Sequence, residues 1–536
     1  MESADAAERK WACVAVSNLI QNDPSTRRLL QGKNIVGALI TRLTDSEEEI
    51  SNTLAQYLEG SAVTPETAQN IVYNFADNVI TTLWCLSETS NKALNAINEI
   101  NLIPFLMSFL AARDKISLVP VIAAAHCLYV LTDDNYPAIS DVRANAGYTS
   151  CLLDIVRSSN GEIGKAKDAA DPRVVTLKVL SSGDSPSSIQ GPNSDHKSQG
   201  ELELERLEAN LRTVQLALEI LTGTCATLPD PESHASENIL GEADYESEDD
   251  LRMDEEDVNM REDGAPSTTA TSTSFLPTLV APLLAHIHPT SLSFPPLAAT
   301  SPHPPTTSAL SAIHISALEC LNNVFLSLAT KPNPSVSADQ DAGRKVWEEI
   351  WSALAAVGTE TGLGQERRQE MWHVGIGVLW GVGNVWKGTL IPEEEKVRLL
   401  IQLCDSTQDE SIKVKCVGTL ECLAQHSQSI DGNRIISQYL FSMLPLNGLP
   451  SPAGTEPLIQ AISALIDIYS DENMPYDINF RQGGYLARLA SSVDEVKRVV
   501  KAIDRRKQGG KDLWRRAADV RDNLVAFIQY RKDLGL

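Results

Sequence analysis

The sequence predicts an all-α fold: an armadillo/HEAT-repeat α-solenoid with a long disordered acidic insertion. Hydrophobic residues make up 43 % of the 536 residues but aromatic residues only 5 %, and this composition favours helices packed on helices. Short helical segments of the form apolar-x-x-apolar recur along the chain. The chain is also too long for one compact core, so an extended array of repeats fits all three observations.

The recurring segments are spaced like armadillo and HEAT repeats. Alignment on the first Leu of each core pair gives 45 residues from Leu83 to Leu128, 41 from Leu379 to Leu420 and 45 from Leu420 to Leu465. Armadillo and HEAT repeats have periods of roughly 40–47 residues. Each helical pair has an apolar face that it cannot bury alone, so neighbouring pairs stack and share one core.

The places where this period breaks divide the chain into three parts. Residues 1–228 are predicted to form armadillo-type repeats, with the first repeat interrupted after residue 50 and a polar insertion at about 157–200. Residues 229–308 are predicted to be a disordered insertion, acidic and then rich in Pro, Ser and Thr, because this composition buries too little apolar surface to offset the entropy of ordering. Residues 309–536 are predicted to form HEAT-type repeats that end in a basic C-terminal cap.

The insertion contains an acidic block, defined here as Glu237 to Asp263. It holds 13 Asp or Glu and two Arg, a net charge of −11 out of the chain's formal −26. Polyanionic segments bind cationic partners, although charges in a linker also serve to keep it solvated and extended. We predict partner binding by the block. The residues expected to take part are Asp244, Tyr245, Glu246, Glu248, Asp249, Asp250, Asp254, Glu255, Glu256 and Asp257.

A second candidate site lies on the last helix of each repeat, which is expected to line a concave groove. Armadillo helices that hold extended peptides carry a Trp and, four residues later on the same face, an Asn whose amide bonds the peptide backbone. Carboxylates at the second position predict a ligand rich in Lys or Arg. The alternative is that the aromatic residues are core and the acids are solvated helix ends. The candidate pairs are Trp84 and Glu88, Tyr129 and Asp133, and Trp380 and Asn384.

The sequence gives no indication of catalysis, a cofactor or a metal site. It contains no phosphate-binding loop, dinucleotide fingerprint, zinc-protease motif or nucleophile elbow. Its nine cysteines include no CxxC pair, which argues against a disulfide framework and a structural zinc site. The pair His286 and His288 has no Cys or carboxylate beside it, and we interpret it as a polar loop edge. We therefore predict a protein that is not an enzyme and binds no cofactor.

Charge and hydropathy limit the class of partner. With a pI near 4.8, the chain lacks the surplus of Lys and Arg that direct nucleic-acid binding needs. The most apolar run, residues 117–132, is too short for a membrane span, and no secretory signal opens the chain. We expect a monomer of the cytoplasm and nucleus that binds basic proteins, with no nucleic acid and no membrane as a direct partner.

Three features in the same order resemble the symportin family. They are the run FADNVITTLWCLSETSNKALNAINEINLIPFLMSFL, the acidic insertion within the solenoid, and the ending YDINFRQGGYLARL…VKAIDRRK. The resemblance implies an adaptor and dedicated chaperone that carries the two ribosomal proteins of the 5S RNP into the nucleus for large-subunit assembly. It implies that the basic N-terminal segment of one ribosomal protein lies in the groove, and that the second ribosomal protein engages the acidic insertion and nearby repeats.

The beginning of the chain departs from this family pattern. Symportins begin with a basic, proline-tyrosine-type signal that an importin binds, whereas this chain starts almost directly at Trp11 in a repeat helix. With the break in period after Ile50, this leads us to expect a truncated or misassembled gene model, and an importin as partner of the full-length family member. The alternative function is a karyopherin-like receptor or scaffold that binds linear nuclear-localisation peptides.

Overall fold

A computed structural model describes most of the chain, and its contacts divide it into two compact units. The described residues are 6–32, 48–61, 63–88, 90–133, 135–169, 199–226, 276–297, 301, 303–445 and 451–535. Within these ranges the structure is helical and contains no β-strand, which confirms the predicted all-α fold. The first unit comprises Met1–Asp154 with Gly223–Leu279, and the second comprises Ile155–Thr222 with Val280–Leu536.

The first unit is a stack of helices in which α5 packs between α1 and α8. A π-helix at Ala68–Asp77 leads directly into α5. The helices that begin in this unit before the insertion are α1 (Ala6–Asn22), α2 (Pro24–Gly32), α3 (Glu48–Leu58), α4 (Pro65–Thr67), α5 (Asn78–Ser87), α6 (Asn91–Ile100), α7 (Ile103–Ala111), α8 (Leu118–Thr132), α9 (Tyr136–Ala144) and α10 (Ala146–Ser158).

Local sequence signals set the helix ends between α5 and α8. Ser90 Oγ accepts a hydrogen bond from the backbone N–H of Ala93, 3.3 Å away, and so caps the start of α6. Asn101 ends α6 in the left-handed conformation, with φ of 52°, which Asn tolerates better than most residues. Pro104 stands in the first turn of α7, where a helix needs no N–H donor. These signals end α6 and start α7, which then packs on α8.

The second unit contains two rows of helices. In the inner row α14, α17, α19, α21 and α24 pack one against the next, and α16, α18, α20 and α23 pack on them as an outer row. The helices are α11 (Asn160–Ala169), α12 (Gln199–Cys225), α13 (Leu276–Leu284), α14 (Pro304–Thr330), α15 (Pro334–Ser337), α16 (Gln340–Val357), α17 (Glu366–Val385), α18 (Glu394–Ser406), α19 (Glu410–Ala424), α20 (Ile430–Ser442), α21 (Thr455–Ile468), α22 (Asp477–Gln482), α23 (Tyr485–Ala502) and α24 (Gly510–Asp533). The last turn of α12 and the start of α13 fall within the range of the first unit.

The spacing of the inner helices agrees with the predicted repeat. α17, α19 and α21 begin at Glu366, Glu410 and Thr455, spacings of 44 and 45 residues. This is the armadillo/HEAT period. The spacing arises because each inner helix buries a Leu- and Ala-rich stripe against its neighbours, while polar caps such as Asp409, whose carboxylate accepts the N–H of Ser411 at 2.8 Å, mark where the next helix begins.

The structure differs from the sequence-based expectation at the end of the insertion. Residues 276–297, inside the range predicted to be disordered, form α13 and a hydrogen-bonded segment. His286 is 1 % exposed, and its Nε2 lies 2.6 Å from Ser159 Oγ, so its interpretation as a polar loop edge was wrong. His314 in turn lies 2.8 Å from Ser293 Oγ through its Nε2. The apolar run LPTLVAPLL supplies the surface that orders this segment.

The nine cysteines all lie in the described residues. None of them forms a disulfide, and all but Cys151 are buried. No group of three or more His, Cys, Asp or Glu in the described part of the chain could hold a metal ion. Among the same residues one helix, α14, has the length and composition of a membrane span, but 72 % of its apolar window is buried, as in the core helix of a repeat protein.

Candidate partner-binding groove

The first candidate surface is the half-exposed face of α5. Seven residues of α5 are fully buried, and the remaining face carries Thr81, Trp84 and, just after the helix, Glu88. Residues three, four and seven positions apart share one face of a helix, so these side chains form a single stripe. Trp84 is half-buried and Glu88 is exposed. The sequence placed this pair on one face correctly, although its role in binding stays a prediction.

The stripe continues onto α8 through an aromatic contact. The Trp84 indole stacks on the imidazole of His126, with ring centroids 4.5 Å apart and ring planes at 17°. His126, Tyr129 and Asp133 form the corresponding half-exposed stripe of α8, and Asp133 is the exposed residue that ends this helix. The two pairs proposed from the sequence therefore lie on neighbouring helices and form one continuous surface, with an aromatic wall beside acidic helix ends.

The acidic end of this surface is already paired in part. Arg27 Nη1 lies 3.4 Å from Glu88 Oε2, with the side chain of Glu88 49 % exposed. Arg27 is held in place by two hydrogen bonds from Nε and Nη2 to the carbonyl of Ile20, both 3.2 Å long. A half-exposed ion pair of this kind is worth about 0–1 kcal/mol. A cationic ligand can therefore exchange with Arg27 at small cost.

Sequence reasoning missed the acid that has no partner, Asp77. It lies seven residues before Trp84, on the same face, at the junction between the π-helix and α5. Its Oδ1 is buried and accepts no hydrogen bond within the described residues, and burial raises the pKa of Asp77 to about 6. π-Helical turns are frequent at functional sites. The sequence does show an acid two turns before Trp84. The spacing of residues, however, cannot show that a carboxylate lacks a hydrogen-bond partner.

The second unit repeats the Trp geometry on α17 and α19. Trp380 is half-buried, and its indole lies directly on the backbone of Gly418, where an added Cβ would come within 2.8 Å of the indole Cδ2. In the repeat alignment Trp380 corresponds to Trp84, and Gly418 corresponds to His126. In each unit, the indole thus packs on the residue at the same position of the next inner helix. A glycine is needed on α19 because any side chain there would displace the Trp.

Asn384 lies one turn beyond Trp380 with its amide available for a ligand. It is exposed, and its Oδ1 accepts a weak hydrogen bond from the Cys422 thiol at 3.4 Å. Its Nδ2 group has no hydrogen-bond partner in the part of the chain that the structure describes. A free amide beside an indole face is the arrangement expected for bonding an extended peptide backbone. The role of the pair in peptide binding stays a prediction.

Carboxylates next to this pair give α19 and α21 a negative surface. Glu421 Oε1 lies 3.3 Å from Lys387 Nζ, and its Oε2 accepts a hydrogen bond from Gln460 at 3.5 Å. Burial raises the pKa of Glu421 and of Asp467, and Lys387 opposes both shifts. One lysine therefore offsets two carboxylates on successive helices.

A second group of acids lies at the other end of the inner row. Burial, followed by repulsion from Glu370 and Glu219, raises the pKa of Glu319 on α14. Arg367 Nη1 compensates part of this charge through a hydrogen bond to Glu370 Oε2 at 3.0 Å. Helix α12 and the inner-row helices α14, α17, α19 and α21 each carry at least one acid, and α17 and α19 carry equal numbers of acidic and basic residues.

The acidic block from Glu237 to Asp263 lies outside the described residues. The same holds for every residue of the insertion that we predicted to bind a partner, from Asp244 to Asp257. Their role stays a prediction from composition.

Comparison with known proteins follows the fold and these surfaces. A family model described as "SYO1-like, TPR repeats" matches residues 271–535. The protein "Symportin 1" of Chaetomium thermophilum is 26 % identical over 244 residues, which cover 41 % of this chain and 34 % of that protein. Over these residues the chain is similar to symportins. The TPR description and the predicted HEAT type both denote stacked helix pairs, and the 44- and 45-residue spacings of the inner helices exceed the TPR period of about 34.

Two further relatives are similar to this chain, and the first of them matches nearly its whole length. "Armadillo repeat protein involved in nucleocytoplasmic transport Syo2" of Schizosaccharomyces pombe is 22 % identical over 627 aligned positions, which cover 99 % of this chain and 93 % of that protein. "Synchronized import protein 1" of Saccharomyces cerevisiae is 30 % identical over 139 residues, 25 % of this chain and 21 % of that protein. The similarity to an armadillo repeat protein, together with the all-helical structure of the described residues, confirms the repeat solenoid predicted from the sequence.

Proposed function

We propose that this protein is a non-enzymatic adaptor in nucleocytoplasmic transport that binds an extended, basic segment of its cargo along the inner helices. The observation that carries the proposal is the recurring indole contact: Trp84 on His126 and Trp380 on Gly418. Acidic side chains accompany both contacts: Asp77 and Glu88 in the first unit, and the exposed Asp467 with the buried Glu421 in the second. Aromatic walls hold the aliphatic parts of Lys and Arg side chains, and carboxylates hold their charges.

The cargo we propose is the pair of basic ribosomal proteins of the large-subunit 5S RNP. This identity is supported by the resemblance of the chain to symportins and by the names of its relatives, which refer to nucleocytoplasmic transport and to synchronized import. In this proposal one cargo lies on the groove surfaces and the acidic block engages the other. The adaptor shuttles between cytoplasm and nucleus, as a monomer, and contributes to ribosome biogenesis as a chaperone of its cargo.

Affinity purification of the full chain from cell lysate, followed by mass spectrometry, tests the cargo. We expect ribosomal proteins of the 5S RNP to be enriched, together with an import receptor. Enrichment of many unrelated proteins with linear nuclear-localisation peptides would instead support the karyopherin-like receptor. That second candidate draws on the Trp380–Asn384 pair, whose free amide suits any extended peptide.

Charge reversal on the groove tests the site. Glu88→Lys is expected to reduce binding of a basic cargo peptide, because it replaces an anion with a cation beside Trp84. Asp494→Lys, at an exposed acid whose carboxylate is 3.9 Å from Lys497 Nζ, is the matched control. Equal affinities of the two variants would show that Glu88 is only a solvated helix end.

Neutralisation of the acidic block tests its separate role. Substitution by Asn or Gln is expected to weaken binding of one basic cargo without lowering the melting temperature; the residues substituted are Asp249, Asp250, Asp254, Glu255, Glu256 and Asp257. The measurement is made at low salt, where the contribution of charge is largest. Unchanged affinity there would remove the block from the binding mechanism.

A further inference from the structure

We propose that the loop between α23 and α24 is a docking surface for a short acidic segment of another protein. The surface, called here the basic loop, consists of Lys501, Arg505, Arg506, Lys507 and Lys511. All five side chains are exposed. The proposal concerns a different surface and the opposite charge from the groove that would bind basic cargo.

The charge of this region is opposite to that of the chain. Residues 497–516 contain nine Lys or Arg and two acids, Asp504 and Asp512, a net charge of +7. The whole chain carries a formal −26, so the remaining residues carry −33. A terminal repeat needs a polar outer face for solubility, but a mixture of charges provides that equally well. A capping role therefore does not explain why residues 497–516 concentrate positive charge.

The five cations of the basic loop have no anionic partner among the described residues, although Arg505 packs on the Trp514 ring. None of them makes an ion pair within the described residues, whereas neighbouring cations do: Arg498 Nη1 lies 2.8 Å from Glu495 Oε1, and Arg515 Nη1 lies 3.8 Å from Asp512 Oδ1. Like charges held close together repel one another. This repulsion is present in the free protein and is relieved when an anion binds between the cations.

The loop holds these side chains in a defined geometry. Asp504 Oδ1 accepts the backbone N–H of Arg506 at 3.0 Å, and the carbonyl of Lys507 accepts the N–H of Gly510 at 2.8 Å. Gly509 has a φ of 72°, a conformation in which glycine is strongly favoured. The guanidinium of Arg505 lies 3.7 Å from the centroid of the Trp514 ring. The loop is therefore already ordered in the free protein, and binding costs little further conformational entropy.

The negative net charge of the rest of the chain favours a short acidic peptide over nucleic acid as the ligand. A long polyanion would extend beyond the loop into the field of a chain that carries −33 elsewhere, and this repulsion acts over a Debye length of about 8 Å at physiological salt. Asp494 and Glu495 lie on α23 itself, within three turns of the loop. A peptide of a few Asp and Glu residues can lie within the +7 region, where Arg side chains bind carboxylates in bidentate fashion.

The test is fluorescence anisotropy of the full chain with a short labelled peptide of alternating Asp and Glu. The variant Arg506→Glu/Lys507→Glu/Lys511→Glu reverses three exposed charges without touching the Arg505–Trp514 contact. Lys92→Glu/Lys331→Glu/Lys345→Glu, at three exposed lysines elsewhere, is the control with the same change in net charge. We expect the loop variant to bind about tenfold more weakly or worse than wild type, since each exposed pair contributes up to about 1 kcal/mol, and the control to bind like wild type.

Three outcomes would overturn the proposal. The first is equal binding by the loop variant and the control variant, which would assign the affinity to net charge. The second is tighter binding of a labelled single-stranded oligonucleotide of equal charge, which would identify a nucleic-acid surface. The third is binding of the peptide only after the acidic block from Glu237 to Asp263 has been neutralised, which would make the chain's own block the occupant.

Discussion

Removal of the carboxylate of Asp477 should strongly destabilise the end of the second unit. Asp477 Oδ1 accepts a hydrogen bond from Arg531 Nη2 at 2.7 Å, and the side chains are 2 % and 0 % exposed. The guanidinium of Arg531 also lies 4.2 Å from the ring centroid of Phe480, and its Nε has no hydrogen-bond partner within the described residues. The pair joins α24 to α22, so it fixes the last helix of the array.

The magnitude follows from the burial of the pair. Asp477→Ala leaves a buried guanidinium without its counter-ion, a change that costs about 3–5 kcal/mol. For a unit of this size each kcal/mol lowers the melting temperature by about 2 °C, so the expected shift is about 6–10 °C. Arg531→Met should cost less, because Met is apolar and of similar length and because Asp477 Oδ2 keeps its hydrogen bond from Arg481 Nε at 2.6 Å.

A double-mutant cycle measured by thermal unfolding separates these effects. The variant Asp477→Ala/Arg531→Met should be more stable than Asp477→Ala, since it leaves no buried charge unpaired. Asp494→Ala, at an acid whose side chain is 85 % exposed, is the control and should stay within about 0.5 kcal/mol of wild type. A loss below about 1 kcal/mol for Asp477→Ala would refute the reasoning, because it would mean that water reaches Arg531.

Three further predictions concern pH and the groove. Burial lowers the pKa of His314 to about 4, so the unfolded chain binds more protons than the folded chain between pH 6.5 and 4. The free energy of unfolding should therefore fall by about 2 kcal/mol from pH 7 to pH 5. His314→Gln should remove this dependence from melting curves recorded at a series of pH values. Burial raises the pKa of Asp77 to about 6, so its charge opposes folding above that pH. Asp77→Asn should therefore raise the free energy of unfolding at pH 7 by about 2 kcal/mol and weaken the binding of a basic cargo peptide measured by fluorescence anisotropy. Unchanged stability would contradict the burial of Asp77. Gly418→Ala should displace the indole of Trp380 and change Trp fluorescence, at a cost of about 1–3 kcal/mol. Gly164→Ala, in helix α11 where a Cβ meets nothing within 4 Å, should leave the fluorescence unchanged and raise stability by up to about 1 kcal/mol.

The parts of the fold that the sequence predicted are those set by local periodicity. The spacing of Leu379, Leu420 and Leu465 identified the inner helices, since a helix shows its buried stripe directly in the chain. The same periodicity placed Trp84 and Trp380 on the half-exposed face.

The parts that the sequence did not predict depend on contacts between distant residues. Glu88 pairs with Arg27, 61 positions away, and His286 is buried against Ser159, 127 positions away. Neither residue shares a local sequence pattern with its partner. Nothing in the sequence therefore indicated the ion pair of Glu88, and His286 was interpreted as a polar loop edge. Asp77 presents the converse case, because a missing partner is visible only when every neighbour has been placed.

The internal ion pairs of the groove determine what charge can contribute to cargo binding. Glu88 is paired with Arg27 and Glu421 with Lys387, so a basic cargo exchanges one cation for another at these positions. Such an exchange is close to neutral in free energy, and charge then acts chiefly on the rate of association and on the exclusion of acidic proteins. Affinity must come from groups that gain a contact on binding. Those groups are the indoles of Trp84 and Trp380, the free amide of Asn384 and the unpartnered carboxylate of Asp77.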